Sequence, residues 1–255
     1  MCPPPPLVRC VAGWARGQAG LSDHTCRSIR VSGFPKQTFE FLAGIAAHNE
    51  KAWFDANRPL YEAGYVEPGK AFVAEIGPRL KAISPEVQFD PKVNGSISRI
   101  NRDIRFSKDK RPYKQHLALW FWHGDKRGWD RPGFYVHIEA ERVFLGTGMY
   151  GFDKDTLDSF RQSIIHPRSG KALVAAVAEV KAKGAYNIGE KTRKLMPRGF
   201  ETDPDRAEFL LYEGLTAGIE LPASAAARPD FAEICLEHFA NTAPIARWLI
   251  AEVAG

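Results

Sequence analysis

From Ser96 to Tyr150 apolar side chains tend to recur at every second position, whereas on either side of that stretch they recur at helical spacing. A period of two fits a half-buried strand and a period near 3.6 fits an amphipathic helix, so a chain carrying both in separate blocks is neither all-α nor all-β. The expected fold is α+β: a largely antiparallel sheet, with strands near 96–106, 115–123, 133–140 and 143–150, packed by N- and C-terminal helices. The clearest pair is Phe134-Tyr135-Val136-His137-Ile138-Glu139 and, after a short turn, Val143 to Tyr150. It puts Phe134, Val136 and Ile138 in a core and Tyr135, His137 and Glu139 together on the other face. Gly146 and Gly148 leave gaps on the second strand, where a groove is expected.

The first helix follows Phe34, with Pro35 suited to its first turn and Phe39, Leu42, Ile45 and Ala46 at helical spacing. Asn49, Trp53 and Asn57 recur four apart and share a stripe, and Trp53 and Phe54 read as core. Asn57 is placed to cap a further helix that runs to about Ala82 and is expected to bend at Pro68. Beyond the sheet, residues 154–166, 170–183, 204–215 and 229–253 read as helices bounded by Pro, Gly or Asp.

A hydrophobic content of 44% in 255 residues supports a real core, and residues 31–255 read as a single domain. Residues 1–30 hold four consecutive prolines and no sustained apolar period, and are set aside as a disordered leader. Their arginine-rich, acid-poor composition fits a transit peptide, but a reading frame extended upstream of a start near Val31 is the favoured explanation. Cys2, Cys10, Cys26 and Cys235 show no C-x-x-C spacing, so no metal site, cofactor or disulfide framework is implied and a reducing cytoplasm is the expected location. No run of about 18 apolar residues is present to span a membrane.

Two phosphate-binding patterns are decoys. Gly64 to Ala71 matches G-x-x-x-x-G-K, but Ala71 replaces the metal-binding hydroxyl and no strand precedes it. Gly146-Thr-Gly148-Met-Tyr-Gly151 matches G-x-G-x-x-G, but it closes a hairpin instead of opening a parallel strand-helix unit.

The chemistry concentrates in Arg99 to Lys114, whose seven basic and two acidic residues give a local charge of +5, equal to that of the whole chain. Residues 1–30 contribute a further +3, so the remainder is mildly acidic and the basic cluster is an island. Strand alternation would put Arg99, Asn101, Asp103 and Arg105 on one face. Arg102 would then lie opposite with Ile100, Ile104 and Phe106, as a structural brace that pairs with a buried carboxylate or turns out at a bulge. Arg99, Arg105, Lys110, Tyr113 and Tyr135 are the expected ligand-binding residues. Asp103 would be held ionised by its arginine neighbours, and His137 with Glu139 is the candidate for proton transfer. Lys194 and Arg198, in a later loop, read as possible supplements or as solvated charges.

The run Arg99-x-x-Arg102-Asp103-x-Arg105-Phe106-x-x-x-Lys110-x-x-Tyr113 closely resembles the signature of the bacterial family called domain of unknown function 2461, also found in some fungi. The likeness continues in Gly33-Phe34-Pro35, Asn49 with Trp53-Phe54, Pro132-Gly133-Phe134-Tyr135, Gly146-x-Gly148-Met149-Tyr150 and Pro197-Arg198-Gly199-Phe200. It covers about residues 33–253, departing at His48-Asn49, where paired asparagines are expected, and in the leader. The resemblance implies a fold unit and no activity. The residues themselves favour a small phosphorylated or nucleotide-like anion as ligand, with or without catalysis. The alternatives are a nucleic-acid or protein-binding module using Trp120, Trp122 and Trp129, and a purely structural ion-pair network at Arg99, Arg102, Asp103 and Arg105.

Overall fold

A computed structural model describes residues 33–124, 131–189 and 191–254. The leader and Trp129 lie outside them. Helices α1 (Lys36–Ala47), α2 (Lys51–Ala56), α3 (Arg58–Tyr61) and α4 (Glu67–Leu80) come first, followed by strands β1 (Leu117–Trp122), β2 (Gly133–Ile138) and β3 (Arg142–Met149). Next come α5 (Lys154–Ile165), α6 (Pro167–Lys183), a two-residue strand β4 (Asn187–Ile188), α7 (Pro204–Ala207), β5 (Leu215–Pro222) and α8 (Phe231–Glu252). The fold is α+β, and the sheet is antiparallel throughout in the order β1-β2-β3-β5-β4.

One face of the sheet carries the alternate apolar positions of three strands: Leu117, Leu119 and Phe121; Phe134, Val136 and Ile138; Val143 and Leu145. All are buried with Phe41, Ile45, Phe72 and Phe231 of the helices in one cluster. A second cluster joins the far ends of β3 and β5 to α5, α6 and the end of α8 through Met149, Leu215, Phe160, Leu173 and Trp248. Ile219 of β5 packs against both. At roughly 1.5–3 kcal/mol for each large apolar side chain removed from water, these clusters are the main source of stability.

Four expectations need correction. First, residues 96–106 form no regular strand. Isolated antiparallel bridges, Ile97 to Leu119 and Asn101 to Tyr113, hold them to the chain that leads into β1. The Ser98 amide donates to Ala118 O and the Lys114 amide to Ile100 O, so the three residues 98–100 face the five residues 114–118. That excess is a bulge around Gln115 and His116, which interrupts the ladder and cancels the simple alternation.

Second, β5 stands where no strand was expected. Its alternation of Leu215, Ala217, Ile219 and Leu221 is in the sequence, but Gly218 and Pro222 dilute it, and a helix ending at 215 hid it. Third, the long helix after Asn57 is disturbed one turn before Pro68, which itself sits comfortably in the first turn of α4. The disturbance is a π-helical turn, Glu62–Val66, where a Cβ on Gly64 would fall 2.4 Å from Gln37 O on α1. Only glycine lets the two helices approach so closely.

The gaps at Gly146 and Gly148 form no groove. A Cβ at Gly146 would meet the Phe144 ring at 2.7 Å, and one at Gly148 would meet Leu215 O of β5 at 2.2 Å. An aromatic ring and a neighbouring backbone already fill the space. Among the described residues no helix is long and apolar enough to cross a membrane.

Candidate functional site

Asn49, in the turn between α1 and α2, sets the position of the basic segment. Its Nδ2 donates to Tyr113 O at 3.0 Å, and its Oδ1 accepts from the Tyr113 amide at 2.9 Å. A side-chain amide thus imitates a strand partner, and Tyr113 also stacks on Phe54 of α2 at 4.6 Å between ring centroids. Asn49→Ala leaves both backbone groups of Tyr113 without that partner, and is expected to cost about 1–3 kcal/mol in urea unfolding. A loss within about 0.5 kcal/mol would mean that water replaces the amide without penalty.

Past Tyr113 the bulge turns Lys114 and His116 toward a cavity of about 620 Å³, whose wall also holds Arg102, Asp109, Arg111, Glu139 and Arg142. Arg102 Nη1 lies 2.8 Å from Asp109 Oδ2, and Arg111 Nη2 2.7 Å from the same oxygen. The two guanidinium groups hold the Asp109 carboxyl far below the usual carboxylate range, Arg111 contributing more. Arg102 Nη1 also donates to Arg111 O at 3.1 Å. Lys114 Nζ donates to Ser98 Oγ at 3.1 Å.

Behind this wall, on the sheet face opposite the core, a chain of hydrogen bonds runs along β2. Tyr135 Oη is 2.9 Å from His137 Nδ1, and His137 Nε2 is 2.9 Å from Glu139 Oε1. Glu139 is an acceptor held ionised chiefly by Arg142, whose Nε donates to Oε2 at 2.8 Å. His137 therefore carries its proton on Nε2, and its Nδ1 accepts from the Tyr135 hydroxyl. The His116 ring stacks on His137 at 4.0 Å. Burial, the adjacent imidazole and Lys114 push His116 down to about 3, and burial likewise lowers His137, so both rings are neutral at pH 7. Burial pushes the Tyr135 hydroxyl up.

The expected ligand-binding and catalytic residues thus separate. Tyr113 and Glu139 line the cavity, while Tyr135 and His137 form the hydrogen-bonded chain that ends at Glu139. Arg99, Asp103, Arg105 and Lys110 do not line it. Asp103 pairs with Arg105 at 2.6 Å in the open, an arrangement that draws its carboxyl down to about 2, and Lys110 Nζ donates to Ile104 O. Arg102, expected to brace the fold from the other face, is on the cavity wall. The physical reason is the missing strand: without a continuous ladder, side chains do not alternate.

A family model described as "Conserved hypothetical protein (DUF2461)" matches residues 37–248. The chain belongs to this family. No curated protein matches it. In this DUF2461 chain the cavity, the Asn49 clip and the Tyr135–His137–Glu139 chain all fall inside the matched span. Sequence reasoning missed Asp109, Arg111, Lys114, Arg142 and His116 as members of one site. His116 lies in the bulge before β1, where the strand period no longer decides which way a side chain points. Asp109 and Arg142 gave no signal, because nothing in a charged loop or a strand end tells which neighbour it will meet.

Proposed function

We infer that the protein binds a small anionic ligand carrying a phosphoryl group in the cavity between Arg102, Arg111, Lys114 and Arg142. The convergence of these four cations on one cavity, from the loop, the bulge and β3, carries the reading. A guanidinium has five N–H donors in a planar fork, more than Asp109 takes from either arginine, and fork geometry suits phosphate oxygens. The ligand enters beside existing ion pairs, Arg102 and Arg111 with Asp109 and Arg142 with Glu139, and these carboxylates limit its charge. Tyr135, His137 and Glu139 support proton handling behind the wall, with His116, stacked on His137, as an imidazole on the cavity wall itself.

A thermal-shift screen of the whole chain against nucleotides, sugar phosphates and short oligonucleotides tests this reading. A ligand at 100 times its Kd adds about 2.7 kcal/mol to stability, a shift of several degrees. Arg102→Gln is expected to weaken binding about 10- to 100-fold, the worth of a charged hydrogen bond. Affinity that changes little with salt supports a small ligand, and a steep loss points to a polyanion. If no anion raises the midpoint, the reading fails.

A further inference from the structure

On the wall of the cavity, His116 has reactive atoms to spare. Among the described residues no hydrogen bond engages its ring, which stacks on His137 at 4.0 Å, and its nitrogens are not sealed from solvent. The ring lines the same cavity as Arg102, Arg111, Lys114 and Arg142. Burial, His137 and Lys114 outweigh the pull of Glu139 and keep it unprotonated at pH 7, so one ring nitrogen carries a free lone pair. The carboxylates of the wall are less available. Asp109 holds two arginines, Glu139 holds Arg142 and His137, and Glu141 is exposed. An unprotonated imidazole among cations that suit phosphate oxygens is the arrangement a nitrogen nucleophile needs for phosphoryl transfer.

We propose that His116 is a nucleophile that takes a phosphoryl group from a phosphoanhydride bound in this cavity, a step that rests on the cavity's being a phosphoryl site. The ring nitrogen forms a bond to phosphorus, the bridging P–O bond breaks, and its electron pair leaves with the departing phosphate. The other nitrogen keeps its hydrogen, so the ring becomes an N-phosphorylated imidazolium. The four cations offset charge on the transferring oxygens, and Glu139, bonded to the stacked His137, attracts the charge that appears on the imidazole. Water then attacks phosphorus, the P–N bond breaks, and its electron pair returns to the imidazole as dihydrogen phosphate is released. The choice of an anhydride follows from the carboxyls. Asp109 and Glu139 are both held ionised by arginines and have no proton to give at pH 7. An alkoxide leaving a monoester needs that proton, whereas a departing phosphate does not.

The test incubates the full chain at pH 7 with γ-labelled ATP and with labelled pyrophosphate, and quenches in alkali, which phosphohistidine survives. Label that mild acid releases and that mass spectrometry maps to His116 is the expected result. His116→Gln is expected to lose the label while still binding inorganic phosphate in calorimetry within about tenfold of the wild type, since one neutral hydrogen bond is worth no more. Labelling is also expected to slow from pH 7 to pH 5 while phosphate binding tightens, because a proton occupies the attacking lone pair. A wild type that binds phosphate yet takes label from neither donor would overturn the proposal and leave the binding reading intact. So would label that persists in His116→Gln. A chain that binds no phosphate at all overturns both.

Discussion

Replacing Gly148 by alanine is expected to cost about 4 kcal/mol, a large part of the 5–15 kcal/mol that holds a typical domain together. Two independent penalties meet there. The backbone sits at φ +123°, which L side chains rarely adopt, and the added Cβ would lie 2.2 Å from Leu215 O and 2.9 Å from Thr216 Cα. Both atoms are backbone of the paired strand β5, so the clash moves the β3–β5 ladder, not a side chain. Gly151, three residues on, has nothing within 4 Å of a Cβ, and Gly151→Ala is expected to change stability by less than about 0.5 kcal/mol. Urea unfolding of the two variants decides the matter: equal effects would show that Gly148 is not constrained by the sheet. The outcome also explains the G-x-G-x-x-G pattern, whose middle glycine serves strand pairing.

Acidification from pH 7 to pH 5 is expected to remove roughly 2 kcal/mol of stability through His116 alone. In the unfolded chain this imidazole titrates near its ordinary value of 6.5, whereas in the folded chain it is held down to about 3. Between those limits the unfolded state binds the extra proton, so stability is complete above about pH 6.5 and falls as pH drops toward 3. His137, lowered by burial, adds to the loss in the same direction. In His116→Gln the slope of unfolding free energy against pH is expected to flatten between pH 4 and 6.5. An unaltered slope would place the acid sensitivity elsewhere. A bound anion reverses part of the effect: its charge beside His116 favours the imidazolium, so ligand affinity is expected to rise as pH falls from 7 to 5, with proton uptake detectable by calorimetry in two buffers.

The regular parts of the molecule were legible because they obey a period. Phe134, Val136 and Ile138 face the core as alternation requires, with Tyr135, His137 and Glu139 opposite. The candidate site was legible only as a neighbourhood. Arg99 to Lys114 does contribute to the cavity, through Asp109 and Tyr113 as well as the cations Arg102, Arg111 and Lys114, whose directions come from a bulge and from Asp109. Period arguments need a continuous ladder, and the bridges at Ile97 and Asn101 are out of step with one another by two residues. Arg142 was unreadable for another reason, since its partners Glu139 and Glu220 come together only when β3 pairs on both sides.

The Asn49–Tyr113 clip has a consequence for the order in which the protein is made. The two residues are 64 positions apart, and the helical side of the pair leaves the ribosome first. A nascent chain that ends before Tyr113 carries the receptor for the clip but no strap to close it. Seating Tyr113 on Asn49 and Phe54 fixes one side of the cavity, and the wall is complete only when Glu139 and Arg142 follow on the hairpin. The clip thus ties the N-terminal helices to a segment made 64 residues later, so neither half has its final backbone partner until both are present.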